Sequence, residues 1–424
     1  MTDTPVFDRR QSKKETVEDK RKKGSIWWRL HQLAGLQFSL FLSFVFITGT
    51  LSVISHEIDW ALRPAMWVQP VAHYERVSWG TVLDSVQSYK SGIEIAGLGD
   101  PLHSASTFDV VVIDNGDRKH IYVHSKTGIV TGEGSWAGVQ RFLRDTHRRI
   151  MIFDRVAGVR VGILIVCLTS VYLLVTLITS FWIYKKWWKG FFRWPKGKRL
   201  RSYVGDLHRW MGLWSLWFVV VMCYTGLWYL QGEFTTFERP QVEIFEANSD
   251  GGSVAEPSSS GAALDLGVSQ ILERYPSFDV ESVSVSGLGT DNGTFRLDGQ
   301  TDRAFLIDGY ANAVWVDANT GDLLRAQNPQ NLSFPMRLNA MNNSLHFGVF
   351  AGYISKWIYF LFGALLSALS VTGVMVYALR LGKSERSTFG FKYFCKKVWL
   401  GMGVARWPAM ALTLFSFFAV LFFM

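Results

Sequence analysis

Apolar residues run in five long stretches along the chain, at about 31–56, 161–184, 208–230, 354–379 and 407–424. A stretch of about 18 or more apolar residues is long enough to cross a bilayer as a helix. Between the stretches lie two long polar segments whose hydrophobic positions alternate with period two. Phe108–Asp114 and Lys119–Val123 alternate around Asn115-Gly116, the signature of a β-hairpin. Gly293–Asp298, Ala304–Asp308 and Val314–Asp317 read as a strand meander, and the Gly/Ser-rich stretch Asn248–Gly261 reads as a linker entering it.

The expected fold is therefore a membrane all-α helical bundle. It comprises two repeated helix pairs and one extra C-terminal helix, five spans in all, with two small α+β insertions. In order these are a basic tail (1–27), a first span (28–58), an outer unit (59–140) and a second span with an outer extension (141–184). A basic loop (185–206), a third span (207–231) and a second outer unit (232–338) follow. A fourth span with its extension (339–380), a loop (381–405) and a fifth span (406–424) complete the chain.

Composition and charge give that pattern an orientation. Only 19% of the 424 residues are charged, against 49% apolar and 15% aromatic, below the roughly 25% charged of soluble domains. The net charge of +9 is not a nucleic-acid footprint, because it is segregated. Nine Lys/Arg fall in residues 1–30, nine in 185–209 and seven in 380–406, whereas 231–345 hold six Arg, no Lys and sixteen Asp/Glu. Basic short loops alternating with acidic long ones place the N-terminus in the cytoplasm and both polar segments outside. The first apolar run is too long for a signal-peptide core and reads as an uncleaved anchor. The expected location is a membrane, and the lipid bilayer is the first partner.

The chain also repeats itself. Leu30-His31-x-x-x-Gly35-Leu36 followed by Thr48-Gly49 matches Leu207-His208-x-x-x-Gly212-Leu213 followed by Thr225-Gly226, with identical spacing. Tyr122–Gly128 matches Trp315–Gly321, and Thr179-Ser180 corresponds more loosely to Thr372-Gly373. Two copies in the same orientation imply a pseudo-twofold along the membrane normal.

Chemistry concentrates on histidine. His31 and His208 occupy matched cytoplasmic span ends, while His147 and His346 precede spans two and four on the outer side. His56 lies on the His31 face and is the weaker ligand candidate; His73, His103, His120 and His124 read as surface residues. Ionisable residues at membrane depth are expensive and mark function. One imidazole pair at each face, amid apolar residues and glycine, suits two axial ligands of a haem better than zinc or copper, which want three or four ligands. Gly35 and Gly212 would clear space for the ring. Arg29, Arg209, Arg148 and Arg149 are placed to meet its carboxylates. The three cysteines form no CxxC or CxxCH, so covalent haem and iron–sulfur clusters are not expected. No GxGxxG in a strand–helix context and no P-loop supplies a nucleotide site.

These motifs, with Val314–Gly321 and Ser344-Leu345-His346-Phe347-Gly348…Lys356…Thr372-Gly373, resemble the PepSY-associated transmembrane family, which includes ferric-siderophore reductases of the inner membrane. The resemblance implies two b-type haems, held by His31 with His208 inside and by His147 with His346 outside. It also implies a ferric siderophore or other ferric chelate as acceptor, with no catalytic residue beyond the haem. The chain departs from the pattern at His124, where the outer turn usually carries Asp, and at Ser180. The donor is open between a quinol and a cytoplasmic reductase. The other readings of the residues are a periplasmic sensor or interaction module with structural histidines, and a metal or substrate transporter.

Overall fold

In the computed structural model, residues 26–236, 242–245, 257–302, 306–307, 309–327, 332–385 and 390–423 are described. Most of the basic tail, most of the linker, and Ala304, Phe305 and Asp308 of one expected strand lie outside them; Leu306 stands in a turn with φ 76°. The chain forms two compact units. One comprises residues up to Ile47 with Ile165–Leu227 and Phe362–Phe417; the other comprises Thr48–Leu164 and Trp228–Leu361.

The helices do not form a bundle of five uninterrupted spans. Two helices, α6 (Val161–Ile183) and α11 (Gly352–Glu385), are individually long and apolar enough to cross a membrane. Three further pairs reach that length only together. They are α1 (Ile26–Gln37) with α2 (Ser39–Val53), α7 (Leu200–Trp214) with α8 (Leu216–Gly232), and α12 (Phe391–Gly401) with α13 (Arg406–Phe423), bent by 66°, 65° and 111°. The first two breaks, at Phe38 and Ser215, each fall seven residues after a repeat histidine. Small residues flank both, Gly35 and Ser39 in one and Gly212 and Ser215 in the other, and such residues permit a kink. The apolar run shows that a segment prefers lipid, and the break shows that it need not be straight.

The second correction concerns the outer segments. They do not make two separate insertions on an all-α protein. They share one nine-stranded antiparallel sheet, ordered β4-β3-β2-β1-β8-β9-β10-β11-β7. The first half is β1 (Glu94–Gly99), β2 (Phe108–Asp114), β3 (Asp117–Val123) and β4 (Val130–Ser135). The short hairpin β5 (Arg155–Val156) and β6 (Val159–Arg160) is separate. β7 (Val242–Ile244), β8 (Asp279–Ser286), β9 (Thr294–Gln300), β10 (Val314–Asp317) and β11 (Leu323–Gln327) form the rest. The halves join where β1 pairs with β8, Leu98 opposite Val283. Each half thereby satisfies the backbone groups of an edge that would otherwise stand open. The expected hairpin is present, with Asn115 and Gly116 at φ 53° and 89° as a two-residue primed turn requires.

Two helices, α4 (Trp79–Tyr89) and α9 (Ser260–Arg274), cover the core of this sheet. Val82, Leu83, Leu264 and Ile271 meet Val110, Ile121, Phe295 and Val316 there, all essentially inaccessible. The helices cap each other. Asp265 accepts from the Gly80 amide (2.7 Å) and the Ser78 hydroxyl (2.6 Å), and Asp84 accepts from the Gly261 amide (3.0 Å) and the Ser259 hydroxyl (2.8 Å). A Cβ on Gly80 would stand 2.1 Å from the Gly261 carbonyl oxygen, and one on Gly261 2.4 Å from that of Gly80. The sequence behind this is a repeat, Ser-x-Gly-x-x-Leu-Asp at 78–84 and 259–265, which the search for strands passes over.

Candidate functional site

The short helices α5 (Val139–Arg149) and α10 (Phe334–Phe347) carry His147 and His346 in their last turns. Each ends in a left-handed residue, Ile150 (φ 45°) or Gly348 (φ 68°), before the long helix begins. The fourth span and its extension are thus not one continuous helix but are broken at Gly348–Ala351. Gly348 must be glycine on two counts: its φ, and the Tyr359 ring that a Cβ would meet at 2.3 Å. Asp59, on α3 (Ser55–Leu62), accepts from the Val139 and Gln140 amides at 2.9 Å each and fixes the start of α5. Trp228 and Tyr229 donate to Asn339 (3.1 Å) and Asn343 (2.6 Å), which fixes α10.

The structure pairs the four histidines as the repeat predicts. The ring centroids of His31 and His208 are 6.5 Å apart at 85°, and those of His147 and His346 6.2 Å apart at 24°. An imidazole nitrogen binds a transition metal at about 2.0–2.1 Å, so two trans imidazoles on one ion hold their centroids roughly 6 Å apart. Both pairs have that separation. All four histidines are partly buried.

At the inner pair, hydrogen bonds fix the free nitrogen. The Thr179 hydroxyl donates to the Val175 carbonyl (2.7 Å), which leaves its oxygen to accept from His31 Nδ1 (3.0 Å). The Thr372 hydroxyl donates to the Ala368 carbonyl (2.8 Å) and accepts from His208 Nδ1 (3.1 Å). With Nδ1 carrying the proton, each Nε2 presents a lone pair, as a metal-ligating histidine held by an outer partner does. Gly373 lies under the His208 ring, its ideal Cβ 3.1 Å from Cε1. Sequence reading found the Thr-Gly and Thr-Ser repeats and gave them no role; they support the histidines.

The space beside these rings is a cavity of about 410 Å³, within the roughly 300–1,000 Å³ of small-molecule and cofactor sites. Trp28, Leu36, Leu173, Phe181, Leu216, Leu369 and Val374 make its wall mostly apolar. Gly35, Gly205 and Gly212 open it: a Cβ on either of the first two meets nothing within 4 Å, and one on Gly212 meets only Leu369 at 3.6 Å. Arg209 lines the cavity with Nε and one Nη buried and without a hydrogen-bond partner, while its other Nη pairs with Asp206 at 3.1 Å. Arg380 also lines it and stacks on Trp28 at 4.1 Å. Two imidazoles with unprotonated Nε2, a mostly apolar cavity and the unmatched donors of Arg209 would suit a haem with its carboxylates.

The outer pair is held by packing. Gly49 lies against His147, and a Cβ there would stand 2.6 Å from Cε1. The Tyr229 ring meets His346 edge-on at 5.2 Å. Crowding by protein and the neighbouring His147 hold the His346 pKa below its ordinary value, so it stays a neutral ligand-competent imidazole. Asn342, one turn before His346, is buried with its side-chain amide unmatched, and Arg144 and Arg149, flanking His147, share the single carboxylate of Asp145 at 3.8 and 3.4 Å. These polar groups also fit a ligand with carboxylates. His56 joins neither pair. It stands beside the Glu57–Lys356 ion pair (2.5 Å), and crowding and Lys356 lower its pKa.

Among the described residues no group of three or more His, Cys, Asp or Glu forms a multidentate metal site. The repeated His helices, the outer turn and the paired geometry converge on one family. The model of the PepSY-associated TM region matches residues 28–380. The chain belongs to that family. It is a membrane protein of a family linked to PepSY domains. No curated protein matches it.

Proposed function

We propose that the chain is a di-haem electron-transfer protein of the bacterial inner membrane. In this reading it carries electrons from the cytoplasmic side to a periplasmic ferric chelate such as a siderophore complex. The observation that supports it is the two histidine pairs, whose ring centroids lie 6.5 and 6.2 Å apart, close enough for both imidazoles of a pair to reach one metal ion. His31 with His208, and His147 with His346, would hold two b-type haems. When bound, a haem supplies reversible one-electron chemistry that no side chain here provides.

The chain's own residues do the rest. Thr179 and Thr372 hold the inner imidazoles in the ligating tautomer. The apolar wall excludes water and keeps the site in a low-dielectric setting, which sets potential. Arg209, with two buried guanidinium nitrogens unmatched, offers donors to carboxylates at the inner pair. Transfer of one electron converts a chelated Fe(III) to Fe(II), a weaker partner for hard oxygen donors, and no general acid or base is needed. The electrons come from a quinol or a cytoplasmic reductase.

Proteoliposomes test this reading. With a reductant trapped inside and a ferric chelate and a ferrous-specific dye outside, the protein should produce external Fe(II) well above protein-free vesicles. Equal rates with and without protein would overturn the reading.

A further inference from the structure

The outer unit carries a basic corner that the histidine pair does not use. β3 presents Arg118, His120 and Tyr122 on the sheet face opposite the one packed beneath α4 and α9. Trp136, just past β4, is sandwiched there: His120 stacks on it at 5.1 Å, with Arg118 at 5.4 Å and Arg141 at 4.5 Å from its ring centroid. The carboxylates near this face are already paired within the protein. Asp109 binds His120 Nδ1 at 2.7 Å, and Asp59 takes the amides at the start of α5 and the Arg63 guanidinium. Asp145 is shared by Arg141, Arg144 and Arg149 at 3.4–3.8 Å, one charge against three. Asp117 and Lys119 point to the other face by strand alternation. Arg118 is exposed and, among the described residues, makes no ion pair. Six residues along α5 from Arg141 comes His147, an axial rise of about 9 Å.

A partly exposed cationic corner on an otherwise acidic outer segment, one short helix from the outer histidine pair, complements a small anion that must approach that pair. We propose that Arg118, Trp136 and Arg141 bind the acceptor, and that the acceptor is a ferric chelate of net negative charge. This rests on the electron-transfer reading for the identity of the acceptor. The binding itself requires no reduction, and the redox step remains the single-electron conversion of Fe(III) to Fe(II) described above.

Gallium(III) chelates separate the two claims, because Ga(III) matches Fe(III) in charge and size and is not reduced under these conditions. Equilibrium dialysis of the purified full chain would compare the Ga(III)–EDTA monoanion with the cationic gallium complex of desferrioxamine B. The monoanion should bind more tightly, weaken as salt is raised, and lose about tenfold in affinity on Arg118→Glu. Arg118→Gln should lose less, and Trp136→Leu should also weaken binding. No detectable binding of the monoanion, equal binding of both complexes, or wild-type affinity in Arg118→Glu would overturn the proposal. Haem absorbance of each variant reports the fold and the electron-transfer reading separately: a colourless protein that still prefers the anion sinks that reading alone.

Discussion

The inner and outer histidine pairs have nearly the same separation and are built differently. His31 and His208 lie in bent apolar helix pairs, are tied through Nδ1 to Thr179 and Thr372, and face a glycine-opened cavity at 85° to each other. His147 and His346 end two short helices, are gripped by Gly49 and Tyr229, and lie at 24°. The inner pair is thus oriented by hydrogen bonds to two neighbouring helices, α6 and α11, and the outer pair by how two capped helices dock. Equal spacing with unequal support teaches that the same imidazole separation can be reached either by hydrogen bonding or by packing.

The largest expected effect comes from removing a ligand. His208→Ala should lose the inner haem and keep the outer, and His346→Ala the reverse, each leaving about half the haem of the wild type; loss of both from either change would show that the sites are one cooperative unit. Gly49→Val is the next strongest, because the added carbons would occupy the His147 ring. It should deplete the outer haem and leave the inner one in place, measured by pyridine-complex assay.

Ring orientation sharpens the contrast. Parallel imidazoles act on one iron d orbital and split the pair, while perpendicular ones leave the two nearly degenerate. Low-temperature EPR of the oxidised protein should therefore show two unlike low-spin signals, the more anisotropic one absent from His208→Ala. Two identical signals would contradict the geometry. A smaller effect is expected of Thr372→Val, which removes the Nδ1 partner: haem retention should weaken by roughly 10–100-fold, as for other outer partners, measured by transfer to a haem acceptor. Thr372→Ser should restore it. Least of all should Gly80→Ala touch either site. Its clash with Gly261 should cost about 1–3 kcal/mol of overpacking, lowering the melting temperature with haem per chain unchanged.

Much of the site was legible in the sequence because a ligand repeat is a local pattern: His31 and His208, and the spacing to Thr-Gly, survive as identities. The hairpin at Asn115-Gly116 was legible for the same reason, since a primed turn is written in two residues. The joining of β1 to β8 was not, because pairing between strands about 185 residues apart leaves no period in either. Nor were the bends at Phe38 and Ser215, since hydropathy reports the solvent a segment prefers and is blind to its axis. Thr179 and Thr372 appeared as motif letters, and only the hydrogen-bond direction in the fold gives them a task.

The central claim is that each histidine pair holds one haem. A dithionite-reduced minus oxidised absorbance spectrum of the detergent-purified protein, with haem counted per chain as the pyridine complex, tests it most directly. The account predicts sharp reduced bands and about two haems per chain. A colourless protein from haem-supplemented cells would contradict it.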